Sequence, residues 1–186
     1  MNIKNKEILF STTNNRKLRE AQEGCKEFGI KINQIKLDIE EIQSKDTLLI
    51  AKYKANEAFK LVNQPVVVTD TSWSIPSLNG FPGGYMKDIT TWFEPEDFIN
   101  LLKNKKDKSI SFRETIVYKD KNNTKVFNDD YLGVIIDTPR GEIGNSIEKV
   151  AEFNGVTIAE KHDLNEISYD PKDYIWYKFA KWYSNY

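Results

Sequence analysis

A chain of 186 residues is long enough to bury a sizeable core, and we expect one globular domain, residues 1–186. Lysine and arginine number 27 against 28 aspartates and glutamates, so the net charge of -1 gives no footprint for nucleic acid or an anionic membrane. A single cysteine excludes an internal disulfide, and no run approaches the roughly 20 apolar residues a membrane helix needs, so a cytosolic, cytoplasmic protein is expected.

Ile8-Leu9-Phe10 opens a strand that runs into a polar turn, Ser11 to Lys17, after which Leu18, Ala21, Cys25 and Phe28 mark one face of a helix ending at Gly29. Cys25 on that stripe reads as an apolar filler. Backbone N–H groups and the helix dipole at such a junction attract anions, and Thr12, Asn14 and Lys17 add a hydroxyl, an amide and a cation. The same residues also read as a plain capped helix, with Asn14 or Asn15 as cap and Lys17 and Arg19 in solvent. The glycines of a Walker loop are missing.

A second strand is predicted over 32–37, and three carboxylates, Asp38, Glu40 and Glu41, follow it. Asp46 then caps a helix from Thr47 to Val62, with Ile50, Tyr53, Lys54, Ala58 and Leu61 at helical spacing. Lys54 on that stripe either snorkels to solvent or reaches into a cleft. Pro65 to Thr69 reads as a short buried strand that delivers Asp70 to its carboxyl end, where open α/β sheets keep their chemistry. The segment from Ser72 to Gly84 is too rich in turn residues for helix or strand, and is expected to be a functional loop.

Pro95 opens a helix through Leu102, and the lysine-rich run 103–108 reads as a solvated connection. Strands follow over 109–118, 125–127 and 130–137, with a turn at Asn122-Asn123 and a weakly helical stretch over 146–152. Lone His162 lies in a polar segment, so solvent exposure is expected and a histidine metal site is not. Asp170-Pro171 starts a C-terminal helix with two aromatic faces, one expected to pack home and the other to close a cleft or meet a second subunit. A βαβα start followed by a meander points to an α/β fold, a mixed sheet with helices packed on it.

Four motifs in order, residues 12–20 (TTNNRKLRE), Glu41-Ile42-Gln43, Ala51-Lys52-Tyr53-Lys54-Ala55, and Asp70-Thr71 with Leu78-Asn79-Gly80-Phe81-Pro82-Gly83, resemble the inosine triphosphate pyrophosphatases. Pro139-Arg140-Gly141 and Thr157-Ile158-Ala159-Glu160 extend the resemblance over nearly the whole chain. It implies an α/β fold with a long mixed central β-sheet, flanking helices and two lobes around a deep cleft, together with Mg²⁺ and a homodimer. It also implies hydrolysis of an aberrant purine triphosphate, such as ITP, dITP or XTP, to monophosphate and pyrophosphate. Carried over, Thr12, Asn14 and Lys17 would cradle the triphosphate, Lys54 would neutralise it, Glu41 would hold the metal, and Asp70 would act as general base or metal ligand. Carbonyl-edge recognition is where the chain departs. Ser72 and Trp73 replace the usual residues after Asp70-Thr71, and the base-stacking run falls on 144–149, without its aromatic. The run that reads the 6-oxo edge falls on Ser168-Tyr169-Asp170, with Leu164 in place of the upstream lysine. Substitutes are Trp73, Tyr169, Tyr174 or Trp176 as a platform and Asn145 or Glu148 at the base edge; a carboxylate such as Glu148 or Asp170 would favour a base with N–H donors. The implied activity is therefore a pyrophosphatase with an altered base preference. The alternatives are a nucleotide-binding or interaction protein that kept the fold and lost efficient catalysis, and a structural domain in which Asp70 and Glu41 are simply polar strand caps.

Overall fold

The computed structural model describes residues 6–164, 170, 172 and 174–186. Strand β1 (Lys6–Ser11) lies between β2 (Ile30–Ile35) and β3 (Val66–Ile75), parallel to both, because helices α1 (Asn15–Lys26) and α2 (Thr47–Val62) make the two crossovers. The chain then turns antiparallel. β4 (Phe81–Gly83) pairs with the end of β3, while β5 (Ser109–Lys119), β6 (Thr124–Ile135), β7 (Ala151–Phe153) and β8 (Val156–Thr157) extend the sheet. The order is β2-β1-β3-β5-β6-β7-β8, eight strands with β4 attached to β3. Helices α3 (Met86–Trp92), α4 (Pro95–Leu102), α5 (Ile158–Asp163) and α6 (Ile175–Asn185) complete the chain.

The helix ends follow from side chains that satisfy otherwise free backbone groups. Asn14 Oδ1 accepts from the amides of Arg16 and Lys17, and Asp46 Oδ1 from those of Leu48 and Leu49. At the other end of α2, Asn63 takes the left-handed conformation, φ 49°, that stops the helix. Both caps stand where the sequence placed them.

Three long strands, β3, β5 and β6, carry three core clusters on one sheet. At one end Val67, Ile116 and Tyr118 face α1 and α6, while Val66, Val68 and Val117 face α2. At the other end Trp73, Ile75, Ile110 and Ile135 pack with Phe98 and Leu102 of α4. Each buried aliphatic of this size contributes about 1.5–3 kcal/mol. Between the two ends the strands turn polar together. Register puts Asp70 opposite Thr115 and Asn128, Thr71 opposite Glu114 and Asp129, and Ser72 opposite Arg113 and Asp130. This polar waist separates two lobes and is where a cleft belongs.

Two strand readings are corrected here. β3 does not stop at Thr69: β5 pairs with it from Val66 to Ser74, so Asp70 stands inside a strand instead of at its end. Similarly, the strands expected over 125–127 and 130–137 are one strand, β6, which ends at Ile135, because Asn128, Asp129 and Asp130 stay in register with β5. The stretch 146–152 forms turns and then β7 in place of a helix. The C-terminal helix is covered on both faces. Trp176 meets Phe10 edge-on, Phe179 meets Phe127, and Gly24 of α1 lets the two helices touch, since a Cβ there would sit 2.5 Å from Trp176 Cβ.

Candidate active site

The first group of residues sits where β1 meets α1. Thr12 Oγ1 accepts from the Asn14 amide at 3.1 Å and Asn14 Oδ1 from those of Arg16 and Lys17, so both side chains shape the turn that opens α1. Lys17 follows one turn later and is largely withdrawn from solvent, which lowers its pKa against the pull of Asp70 and Glu114. Asp70 is pushed the opposite way: burial raises its carboxyl, Lys17 and Lys54 hold it down, and Glu41 raises it further. Glu41 arrives on the loop between β2 and α2, and its carboxylate takes a 2.8 Å hydrogen bond from Lys54 that keeps it well below the usual range. Lys87 and Lys17 add to that lowering.

Lys17, Lys54, Glu41 and Asp70, from four separate segments, therefore lie within one another's electric field. Lys87, in the first turn of α3, is a cation that sequence reasoning missed, because α3 is short and lies between the expected loop and the helix at Pro95, where no periodic signal stands out. Gly84 helps bring that segment close, since a Cβ there would come within 2.5 Å of the Ser44 carbonyl on the Glu41-bearing loop. Two carboxylates and no third histidine, cysteine or acid poised to ligate a metal, among the described residues, is a donor set that suits a hard cation completed by phosphate oxygens and water.

Further along the same sheet face as Asp70, Ser72 and Ser74 line a cavity of about 530 Å³ roofed by the 78–85 loop. Of its charged lining residues, Lys45, Arg113 and Asp130, the last two form a two-pronged ion pair at 2.6 and 2.8 Å. Thr71 is half-buried on the opposite face from Asp70, in register with Glu114. Trp73 is only 3 % exposed, wedged against Phe112 and Phe153, and Trp176 and Tyr174 are likewise built into the core, so none of the three offers a free ring face. Asn145 and Glu148 close a tight turn on each other: the Asn145 amide donates to Glu148 Oε2 at 2.9 Å and the Glu148 amide to Asn145 Oδ1 at 3.2 Å. Asp170 is exposed and caps the Lys172 amide. Ser168 and Tyr169 lie outside the described residues. His162, expected in solvent, is instead half-buried beside Glu148, with Nδ1 3.3 Å from the Ile143 carbonyl oxygen. No local pattern marks that burial, which comes from a loop some twenty residues away.

A mixed-sheet α/β protein whose polar waist gathers cations, two carboxylates and a helix N-terminus has the make-up of a protein that handles polyphosphates. The chain belongs to the Ham1 family, whose model matches residues 8–171. It is 30% identical over 181 residues to a dITP/XTP pyrophosphatase of Methanopyrus kandleri, covering 96% of both chains. It is 32% identical over 165 residues to one of Methanosarcina mazei, covering 87% of this chain and 90% of that one. The solved HAM1 protein of Coxiella burnetii superposes with a TM-score of 0.81 at 21% identity, over 97% of this chain and all of the other. That likeness establishes the fold.

Proposed function

We propose that this chain is a magnesium-dependent nucleoside triphosphate pyrophosphatase that cleaves aberrant purine or altered-base triphosphates to monophosphate and pyrophosphate. The observation that carries the reading is the convergence of Lys17, Lys54, Glu41 and Asp70 on one waist of the sheet. Lys17, Lys54 and Lys87, beside the Thr12 and Asn14 side chains, bind the phosphate oxygens and neutralise their charge. Glu41 and Asp70 would hold the ion, which when bound screens the anhydride oxygens and the leaving pyrophosphate. Asp70, its carboxyl raised toward neutrality by burial, orients a water and takes its proton as the α–β anhydride bond breaks. Lys54 releases Glu41 for the ion by turning to phosphate. Pyrophosphate release from a panel of purine triphosphates is expected to require Mg²⁺, stop on chelation and return on readdition; release that chelation leaves unchanged contradicts the metal assignment.

A second reading, a nucleotide binder with weakened catalysis, has one observation in its favour: no aromatic platform stands free at Trp73 or Trp176. The same panel separates the two, since binding without pyrophosphate is its signature. We further read the chain as one domain, because the three core clusters share a continuous sheet, and as cytoplasmic. No helix among the described residues is long and apolar enough to cross a membrane. A homodimer is supported by Leu132 and Val134, neighbours on one face of β6 that are 80% and 44% exposed, and a sedimenting mass of one chain would remove it.

A further inference from the structure

Of the three lysines assigned to the phosphates, one is already engaged. Lys54 Nζ donates to Glu41 Oε1 at 2.8 Å, whereas Lys17 and Lys87 take part in none of the ion pairs among the described residues. The engaged lysine therefore sits on a carboxylate that the ion also needs. An ammonium at hydrogen-bond distance and a divalent cation draw on the same lone pairs and repel each other across a few ångströms, so each weakens the other's hold on Glu41.

The backbone is held on both sides of this contact, which leaves side-chain rotation as the way to break it. Lys54 lies in the middle of α2, which Asp46 caps and which Ala51, Ala55 and Ala58 seat against Val66, Val68 and Val117 of the sheet. On the other side, Ser44 follows Glu41 by three residues and accepts from the Asp46 amide at 3.0 Å, and its carbonyl presses on Gly84. The two heads are reachable from solvent, the Glu41 side chain being 45% exposed and that of Lys54 22%. A partly exposed pair of this kind is worth at most about fivefold in an equilibrium, enough to hold the carboxylate and little enough for a polyphosphate to break. Lys17 and Lys87 offer such a ligand uncommitted charge, and its oxygens then compete with a single carboxylate for the Lys54 ammonium.

We propose that Lys54 gates the metal position: it holds Glu41 until a polyphosphate draws its ammonium away, so that divalent cation and triphosphate bind cooperatively. Linkage makes the effect reciprocal, the ion tightening the nucleotide by the factor by which the nucleotide tightens the ion. The inference rests on the pyrophosphatase reading above and deepens it by naming how its site is regulated.

The test titrates Mn²⁺, which takes the same oxygen ligands as Mg²⁺ and is read by paramagnetic resonance, into the protein without nucleotide. Lys54→Met keeps the stem and removes the ammonium, and is expected to bind Mn²⁺ about fivefold tighter than the wild type. Lys54→Gln is read in its place if the methionine variant does not fold. Lys87→Met removes the same charge from an exposed position that Glu41 feels only through space, and is expected to change the affinity less than about twofold. The gain in Mn²⁺ affinity that α,β-methylene inosine triphosphate confers should shrink about fivefold in the Lys54 variant. Equal affinities in the wild type and the Lys54 variants overturn the gate, since Lys54 then never held the ion off. An equal gain in Lys87→Met overturns it too, because net charge alone then sets the affinity. Pyrophosphate release by the wild type separates these results from the reading beneath them. Magnesium-dependent release with unmoved Mn²⁺ affinities removes the gate alone, and no release from any purine triphosphate removes the pyrophosphatase reading whatever Mn²⁺ does.

Discussion

Asp70→Asn is expected to lower kcat for pyrophosphate release by about 10²–10⁴-fold while nucleotide binding persists or tightens. The direction follows from the charges around it. Asp70 sits in the polar waist between Lys17 and Lys54, and its burial makes the carboxylate a better proton acceptor than an exposed one. An amide of the same shape cannot take a proton, so the attacking water stays neutral. It also stops competing with phosphate for the two lysines, which is why affinity should not fall. Stability should hold or rise, since the buried charge that the fold strains to keep is gone. Thermal melts and product assays on the same preparation check both halves. Turnover within tenfold of the wild-type rate removes Asp70 from the chemistry.

Glu114→Gln is expected to stabilise the protein at pH 8 by about 3 kcal/mol and to do almost nothing at pH 4.5. The Glu114 carboxyl is raised from 4.5 to about 7, mainly by burial and then by Glu20, with Lys17 and Arg16 pulling the other way. Between those two values the folded protein holds a proton that the unfolded chain has released. Stability therefore falls as pH rises through that window and levels off above it. A shift of that size corresponds to the stated energy at about 1.4 kcal/mol for each tenfold change in proton affinity. Glutamine keeps the shape without the charge, so the variant escapes the loss. Urea unfolding at both pH values reads the gap directly; an equal gap at both would show that Glu114 is solvated in the folded chain.

The two strand errors have one physical origin. Thr69-Asp70-Thr71-Ser72 in β3 and Asn128-Asp129-Asp130 in β6 look like the ends of strands because their side chains are polar. They stay extended because β5 pairs with both across its whole length, a long-range contact invisible to local periodicity. The interruption of the pattern is the waist itself, where charge is collected. By contrast α2 was legible to the residue, since its start and stop are written locally in Asp46 and Asn63. Of the candidate site, Thr12, Asn14 and Lys17 stand out at a strand–helix junction and Asp70 after a predicted strand, while the roles proposed for Glu41 and Lys54 come from the family resemblance. Neither Lys87 nor the burial of His162 could be read. Their places depend on the fold of the 78–92 segment and on the loop at Ile143, and neither carries a periodic signal. The second aromatic face of α6 was misread for a similar reason, because only the packed fold reveals that Gly24 admits Trp176.

The most direct check of the whole account is the identity of the products. With Mg²⁺ and a purine nucleoside triphosphate, separated by anion-exchange chromatography, the account predicts monophosphate and pyrophosphate in equal amounts from the first turnover. Nucleoside diphosphate with orthophosphate would place the cut at the wrong bond and contradict it, as would a nucleotide left whole.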